Sequence, residues 1–142
     1  MAVRKARARW NGSITAGKGT LALGSGAFEG PYSFASRFED GSGTNPEELI
    51  GAAHAGCFSM AFAAALGRAG FEPTSVRTSA DVHLVKGEGG FSIPRIDLET
   101  EAEVPGIDEA RFQEIAAGAK TGCPVSKALA GVDIQLTAKL VR

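Results

Sequence analysis

At 142 residues, 44% hydrophobic and 22% charged, the chain reads as one globular domain with enough length to bury a core. A net charge of −1 and a pI near 6.1 exclude any global attraction to nucleic acid or to an anionic membrane surface. The start, MAVRKARARW, is basic but has no apolar segment of the kind a secretory signal needs. The chain is therefore expected in a reducing cytoplasm, where its two cysteines argue against a permanent structural disulfide and leave a reactive pair open.

No repeat, low-complexity tract or linker divides the sequence, so a single domain over residues 1–142 is expected. Residues 4–10 alternate Ala6, Ala8 and Trp10 against Lys5, Arg7 and Arg9, the period of a strand with a solvated cationic face. A nucleic-acid stripe is the rival reading of those cations, and the overall charge speaks against it. Asn11-Gly12 signals a hairpin turn, and residues 13–23 and 27–37 are expected as short strands broken by Gly17, Gly19, Gly24 and Gly26. A loop over 40–43 leads into the longest element.

That element is a helix within residues 44–70. Thr44 or Asn45 can cap it, Pro46 suits its first turn, and Glu47 and Glu48 favour the positive end of its dipole. Arg68, Gly67 and Gly70 mark its end. From Leu49 to Leu66 the only strongly polar side chains are His54 and Ser59, so the helix is apolar on every face and has to be surrounded. Its length approaches that of a membrane span. Its wealth of alanine and glycine, with a histidine inside, favours a buried central helix instead. Cys57 stands in the middle of it.

Beyond Gly70 a strand is expected over 76–85, with Val76, Ala80, Val82 and Leu84 on one face and His83 on the other. The turn 86–90 returns the chain as a strand over 91–104, where Ile96, Leu98, Ala102 and Val104 alternate with Asp97, Glu99, Glu101 and Glu103. Those acids read as a solvated face rather than a cation site. Asp108 caps a helix to about Lys120 that buries Phe112, Ile115, Ala116 and Ala119. A short helix follows over 124–130, and a last strand over 132–141 turns Val132, Ile134, Leu136, Ala138 and Leu140 inward. Segregated hairpins and helices mean an α+β fold with mainly antiparallel sheet. A chain of this length rarely encloses a helix apolar all round, and a dimer pairing two such helices is the simplest remedy.

Cys123 precedes a proline at the start of the short helix, where partial positive charge favours a thiolate. Cys57, mid-helix in apolar surroundings, is an inert core residue unless a cation reaches it. Arg37, expected at the end of the third strand region, is the best-placed cation, and Glu48 is a carboxylate to hold it. Glu48 and Cys57 lie nine residues apart, on opposite sides of a regular helix and about 13–14 Å apart along its axis. Either the helix breaks near Gly51, or the Glu48 that matters comes from a second subunit. Zinc is a rival use of the same residues: His54 and Cys57 share a face at i, i+3, with Cys123 and His83 to complete four ligands, though no CxxC or HxxxH spacing supports it.

The segments NPEELIGAAHAGCFSMA and GCPVSKAL, with SRFED before the long helix and VPGID before the 108–120 helix, closely resemble the OsmC (osmotically inducible protein C) family of thiol peroxidases. The likeness runs through most of the chain. The sister organic hydroperoxide resistance (Ohr) group carries its arginine in a TGGR-like N-terminal turn, which is missing here, so the resemblance is to OsmC proper. It implies an intertwined homodimer of long central helices wrapped by mainly antiparallel sheets, with active sites at the interface. It also implies Cys57 as the peroxidatic thiolate, Cys123 as the resolving thiol, and Arg37 with Glu48 as the pair that lowers the Cys57 pKa and orients the peroxide. The substrate would be an organic hydroperoxide and the reductant a dithiol, for which a lipoyl-type group is a candidate. Neither a metal nor a haem or flavin cofactor is required, and neither nucleic acid nor membrane is expected as a partner. A zinc-binding module and a non-catalytic dimeric stress protein that binds a small apolar ligand are the competing functions.

Overall fold

The structure, a computed structural model, describes residues 1–141. Its contacts divide the chain into two compact units, Met1–Leu49 and the remainder from Ile50. In the first, strands β1 (Ala6–Asn11), β2 (Lys18–Leu23) and β3 (Glu29–Tyr32) form an antiparallel sheet in the order β1-β2-β3. The strand expected from residue 13 begins only at Lys18, because the segment after Asn11 forms a closed loop. Gly12 takes φ +95°, and the Trp10 indole N–H donates to the carbonyls of Gly12 and Ser13 at 3.0 and 3.3 Å. Gly19 has no room for a side chain, since a Cβ there would come within 2.3 Å of the Tyr32 ring and 2.7 Å of Trp10.

The strand expected over 27–37 ends at Tyr32. Ser33 then caps a one-turn helix, α1 (Phe34–Phe38), through a reciprocal pair of hydrogen bonds with Ser36 at 2.8 and 3.1 Å. Arg37 thus lies on a helix, a correction to its expected strand position. The spacing of two serines three residues apart overrides the strand propensity of the flanking aromatics. The Ser36 hydroxyl donates to Thr44 O at 2.7 Å, and the Asn45 amide donates to Ser36 O at 3.1 Å, tying α1 to the start of the next helix.

That helix, α2 (Pro46–Arg68), is a single element that continues through Gly51. Asn45 is its cap, accepting from the Glu48 N–H at 2.7 Å. In the second unit, β4 (Ser75–Gly87) and β5 (Gly90–Glu103) form an antiparallel hairpin, and β6 (Asp133–Val141) pairs with β5 in parallel. Between β5 and β6 run α3 (Glu109–Gly122), capped by Asp108, and α4 (Pro124–Ala128). The fold is α+β with mainly antiparallel sheet, and the parallel β5–β6 pair follows from the α3–α4 crossover that joins them.

One face of this sheet carries the core. Ile96, Leu98, Thr100 and Ala102 of β5 are buried, while Glu99, Glu101 and Glu103 face out. Helix α2 presses Phe58, Phe62 and Leu66 against it, and Phe62 meets Phe112 of α3 edge-on with ring centroids 5.4 Å apart. Gly51 lets the helix approach β4 closely, since a Cβ there would come 3.3 Å from Val82. Ser59 donates to Thr78 of β4 at 2.7 Å, and Thr78 meets Thr100 at 3.0 Å, so this polar group of the helix is satisfied inside the core.

The expectation that α2 is covered on every side is met on one side only. Ala52, Ala53, Gly56, Met60 and Ala64 are exposed in the single chain, Met60 to 76%. Replacing Phe62 with alanine should cost about 3–5 kcal/mol, because the cavity would open between α2 and α3. Urea unfolding at fixed protein concentration checks this, and a loss below about 1 kcal/mol would show that the site collapses around the gap.

Candidate functional site

Cys123 occupies a junction. Its N–H donates to Ala119 O at 2.9 Å, closing α3, and the next residue, Pro124, opens α4. Proline at the first helical position needs no N–H partner, so the chain can turn from one helix into the next on a single residue. The turn aims the Cys123 side chain inward, where it is completely buried. Cys57 reaches the same place from the middle of α2, where it is half-buried, and the two sulfurs lie 3.0 Å apart across 66 residues of sequence. Both are free thiols.

The surroundings treat the two thiols differently. Burial pushes the Cys57 thiol up, and its contacts with Cys123 push it further, against a smaller opposing pull from the Val125 N–H. Burial also acts to raise Cys123, but it is outweighed. Cys57, the N–H and hydroxyl of Ser126 and the N–H of Val125 gather at its sulfur and bring it below the usual thiol range. Cys123 closes no regular side-chain cap bond, so these groups act by proximity at the start of α4.

Two further side chains complete this cluster. His54, one turn before Cys57 on α2, is fully buried, and its Nε2 lies 2.8 Å from the Ser126 hydroxyl. Burial lowers its pKa and keeps it neutral, and its Nδ1 is buried without a hydrogen-bond partner. The sequence reading considered His54 only as a zinc ligand and did not single out Ser126. The available signal was their matching offset, three residues before one cysteine and three after the other. The zinc set itself is not assembled, because His83 lies on the outer face of the sheet, bonded to Asp97 at 2.8 Å. Asp97 also accepts from Arg95 at 2.7 Å, and Arg95 and His83 hold its carboxyl below the usual range.

In the first unit the expected pairing of Arg37 with Glu48 is corrected. Arg37 donates through Nε and Nη2 to a single oxygen of Glu47, at 3.0 and 2.7 Å, and its guanidinium lies 5.1 Å from the centre of the Phe38 ring. Glu47 is nine-tenths buried and its second oxygen, Oε2, has no partner. Glu48 is exposed and accepts from the Thr44 hydroxyl at 2.8 Å. The reason is helical geometry: adjacent residues in the first turn of α2 point about 100° apart, so only one of two neighbouring glutamates can face α1. A sequence that offers Glu47-Glu48 does not say which.

Comparison with known proteins adds an independent line. A family model described as OsmC-like protein matches residues 39–137. The chain is 55% identical over 127 residues to the peroxiredoxin OsmC of Escherichia coli (strain K12), covering 89% of each. It is 36% identical over 99 residues to an organic hydroperoxide resistance protein of Xanthomonas axonopodis pv. citri, covering 68% of each. Among solved structures it resembles the organic hydroperoxide resistance protein OhrB of Bacillus subtilis, with a TM-score of 0.71 and 27% identity over 95% of this chain and 98% of that one.

Truncating Glu47 to alanine should destabilise the protein by about 1–3 kcal/mol, because it strips a charged hydrogen-bond partner from Arg37. Glu48→Ala should cost less than about 1 kcal/mol, the scale of an exposed acid at a helix start. Chemical denaturation of the two variants side by side decides which glutamate Arg37 depends on.

Proposed function

The chain belongs to the OsmC-like protein family and is a thiol peroxidase of organic hydroperoxides, and we propose that its cycle runs through Cys57 and Cys123. The observation that carries this reading is the meeting of two free thiols, far apart in sequence, with their sulfurs 3.0 Å apart. Accessibility supports the division of roles. Cys123 has no exposed surface from which to attack a hydroperoxide, whereas Cys57 is partly open. The Cys57 thiolate attacks the distal oxygen of ROOH, the O–O bond breaks, and the alcohol leaves with a proton. Cys57 becomes a sulfenic acid, Cys123 condenses with it to release water, and an external dithiol reduces the resulting disulfide.

Burial pushes the Cys57 thiol up within its own unit, so a cation supplied from elsewhere would favour its thiolate. Arg37 takes that role in our reading, oriented by Glu47 rather than by Glu48. The exposed small-residue face of α2, with Met60 open in its middle, supports a homodimer in which two such helices pack together and the whole chain acts as one domain. A reducing, cytoplasmic setting fits two cysteines that must cycle between thiol and disulfide.

Titration of free thiols before and after one equivalent of cumene hydroperoxide, with hydrogen peroxide alongside, tests the activity itself. Cys57→Ser should abolish turnover, while Cys123→Ser should reduce about one equivalent and stop at the sulfenic acid. Normal turnover of Cys123→Ser with a dithiol would remove its resolving role. Sedimentation at nanomolar concentration should find a dimer, and an active, well-folded monomer would overturn the paired-helix architecture.

A further inference from the structure

His54 and Ser126 have no part in the cycle as written, yet they sit against it. His54 Nε2 and Ser126 Oγ are 2.8 Å apart, both residues are buried, and Ser126 stands three residues after Cys123, the cap residue of the same short helix, where the two side chains share a face. A serine hydroxyl has one proton and here faces two acceptors, an imidazole nitrogen and a sulfur. If it gave that proton to His54, the neutral ring would carry its own hydrogen on Nδ1, where it would be buried and unpaired, and the sulfur would receive nothing. If the ring hydrogen sits on Nε2 instead, His54 donates to Ser126, the unpartnered Nδ1 is a bare lone pair, and the serine proton is free for the sulfur. The second arrangement leaves fewer groups unpaired.

We propose that His54 and Ser126 form a donor relay, Nε2–H to Oγ and Oγ–H to the Cys123 sulfur, that positions Cys123 as the thiolate for attack on the oxidised Cys57. The proposal rests on the peroxidase reading and adds two positioning residues to its second step. In that step a Cys123 lone pair forms the S–S bond and the S–O bond of the Cys57 sulfenic acid breaks. The departing hydroxide takes from solvent a proton equivalent to the one the Cys123 thiol released. Cys123 is oxidised, the Cys57 sulfur is reduced to the disulfide level, and one water leaves. The titratable groups facing Cys123 are Cys57 and, through Ser126, His54. Lys120 of α3 is engaged on Ile134 O and Lys127 of α4 is exposed, so neither lysine supplies a charge at the sulfur.

The test uses reduced, full-length protein and one equivalent of cumene hydroperoxide. Sulfenic acid is trapped with a dimedone-type reagent, and disulfide formation is followed over time and pH. In Ser126→Ala, disulfide closure should slow about tenfold or more relative to sulfenic acid formation, with its pH midpoint moved upward, as expected on losing a hydrogen bond to a charged sulfur. Ser126→Thr, which keeps the hydroxyl, should restore both. In the unmodified protein, the ring nitrogen shifts of His54 in a 15N NMR spectrum should place the hydrogen on Nε2 in the reduced state. Closure at the normal rate with an unmoved midpoint in Ser126→Ala, or a hydrogen on Nδ1, overturns the relay. A wild-type protein that forms neither sulfenic acid nor disulfide defeats the peroxidase reading instead, and the NMR measurement still decides the relay, whether or not the variants fold.

Discussion

The structure depends on how α2 is seated against the β4-β5-β6 sheet. The helix is rich in alanine and glycine, so its attachment relies on a few large side chains and on close approach. Phe58, Phe62 and Leu66 fill the space toward β5 and α3, and Gly51 leaves out a Cβ that would come 3.3 Å from Val82 of β4. Once that face is down, the i, i+3 geometry leaves His54 and Cys57 toward α4. The Ser59–Thr78–Thr100 chain fixes the same seating with hydrogen bonds whose loss would leave polar atoms stranded in the core.

Cys123 supplies the other half of the site by a local device. A residue that ends one helix and begins the next has its backbone committed in both directions, and the Pro124 that follows makes the change of direction inexpensive. The Cys123 side chain points inward and is completely buried. Its companions on α4 act to lower the Cys123 thiol, while burial raises that of Cys57. That asymmetry suits the proposed division of labour, with Cys123 as the resolving thiol and Cys57 as a peroxidatic thiol that a guanidinium would activate.

The Arg37–Glu47 pair fixes the orientation of a guanidinium. Two of its N–H groups converge on one carboxylate oxygen while a phenyl ring lies close by, and the carboxylate itself is nearly buried. The open Oε2 leaves that carboxylate with unused acceptor capacity. All of this is built from α1 and the first turn of α2, two short stretches locked together by Ser36, Thr44 and Asn45.

Much of this was legible in the sequence because it obeys local periodicity. Alternation placed Ile96, Leu98 and Ala102 inside and the acids outside, and a 3.6-residue stripe marked Phe112, Ile115, Ala116 and Ala119. The long apolar helix, its two cysteine motifs and the cap at Asp108 were equally plain, since each is written in neighbouring residues. Sequence also carried the family, through motifs spread along most of the chain. What it left open were choices between near neighbours and between partners far apart. Glu47 and Glu48 are chemically identical, and only the packing of α1 against the helix start selects one. The Ser33–Ser36 box turned an expected strand into a helix, because a pair of reciprocal hydrogen bonds outweighed aromatic strand propensity. His54 and Ser126 are 72 residues apart and meet only when α2 and α4 converge, so their contact is a property of the tertiary structure alone.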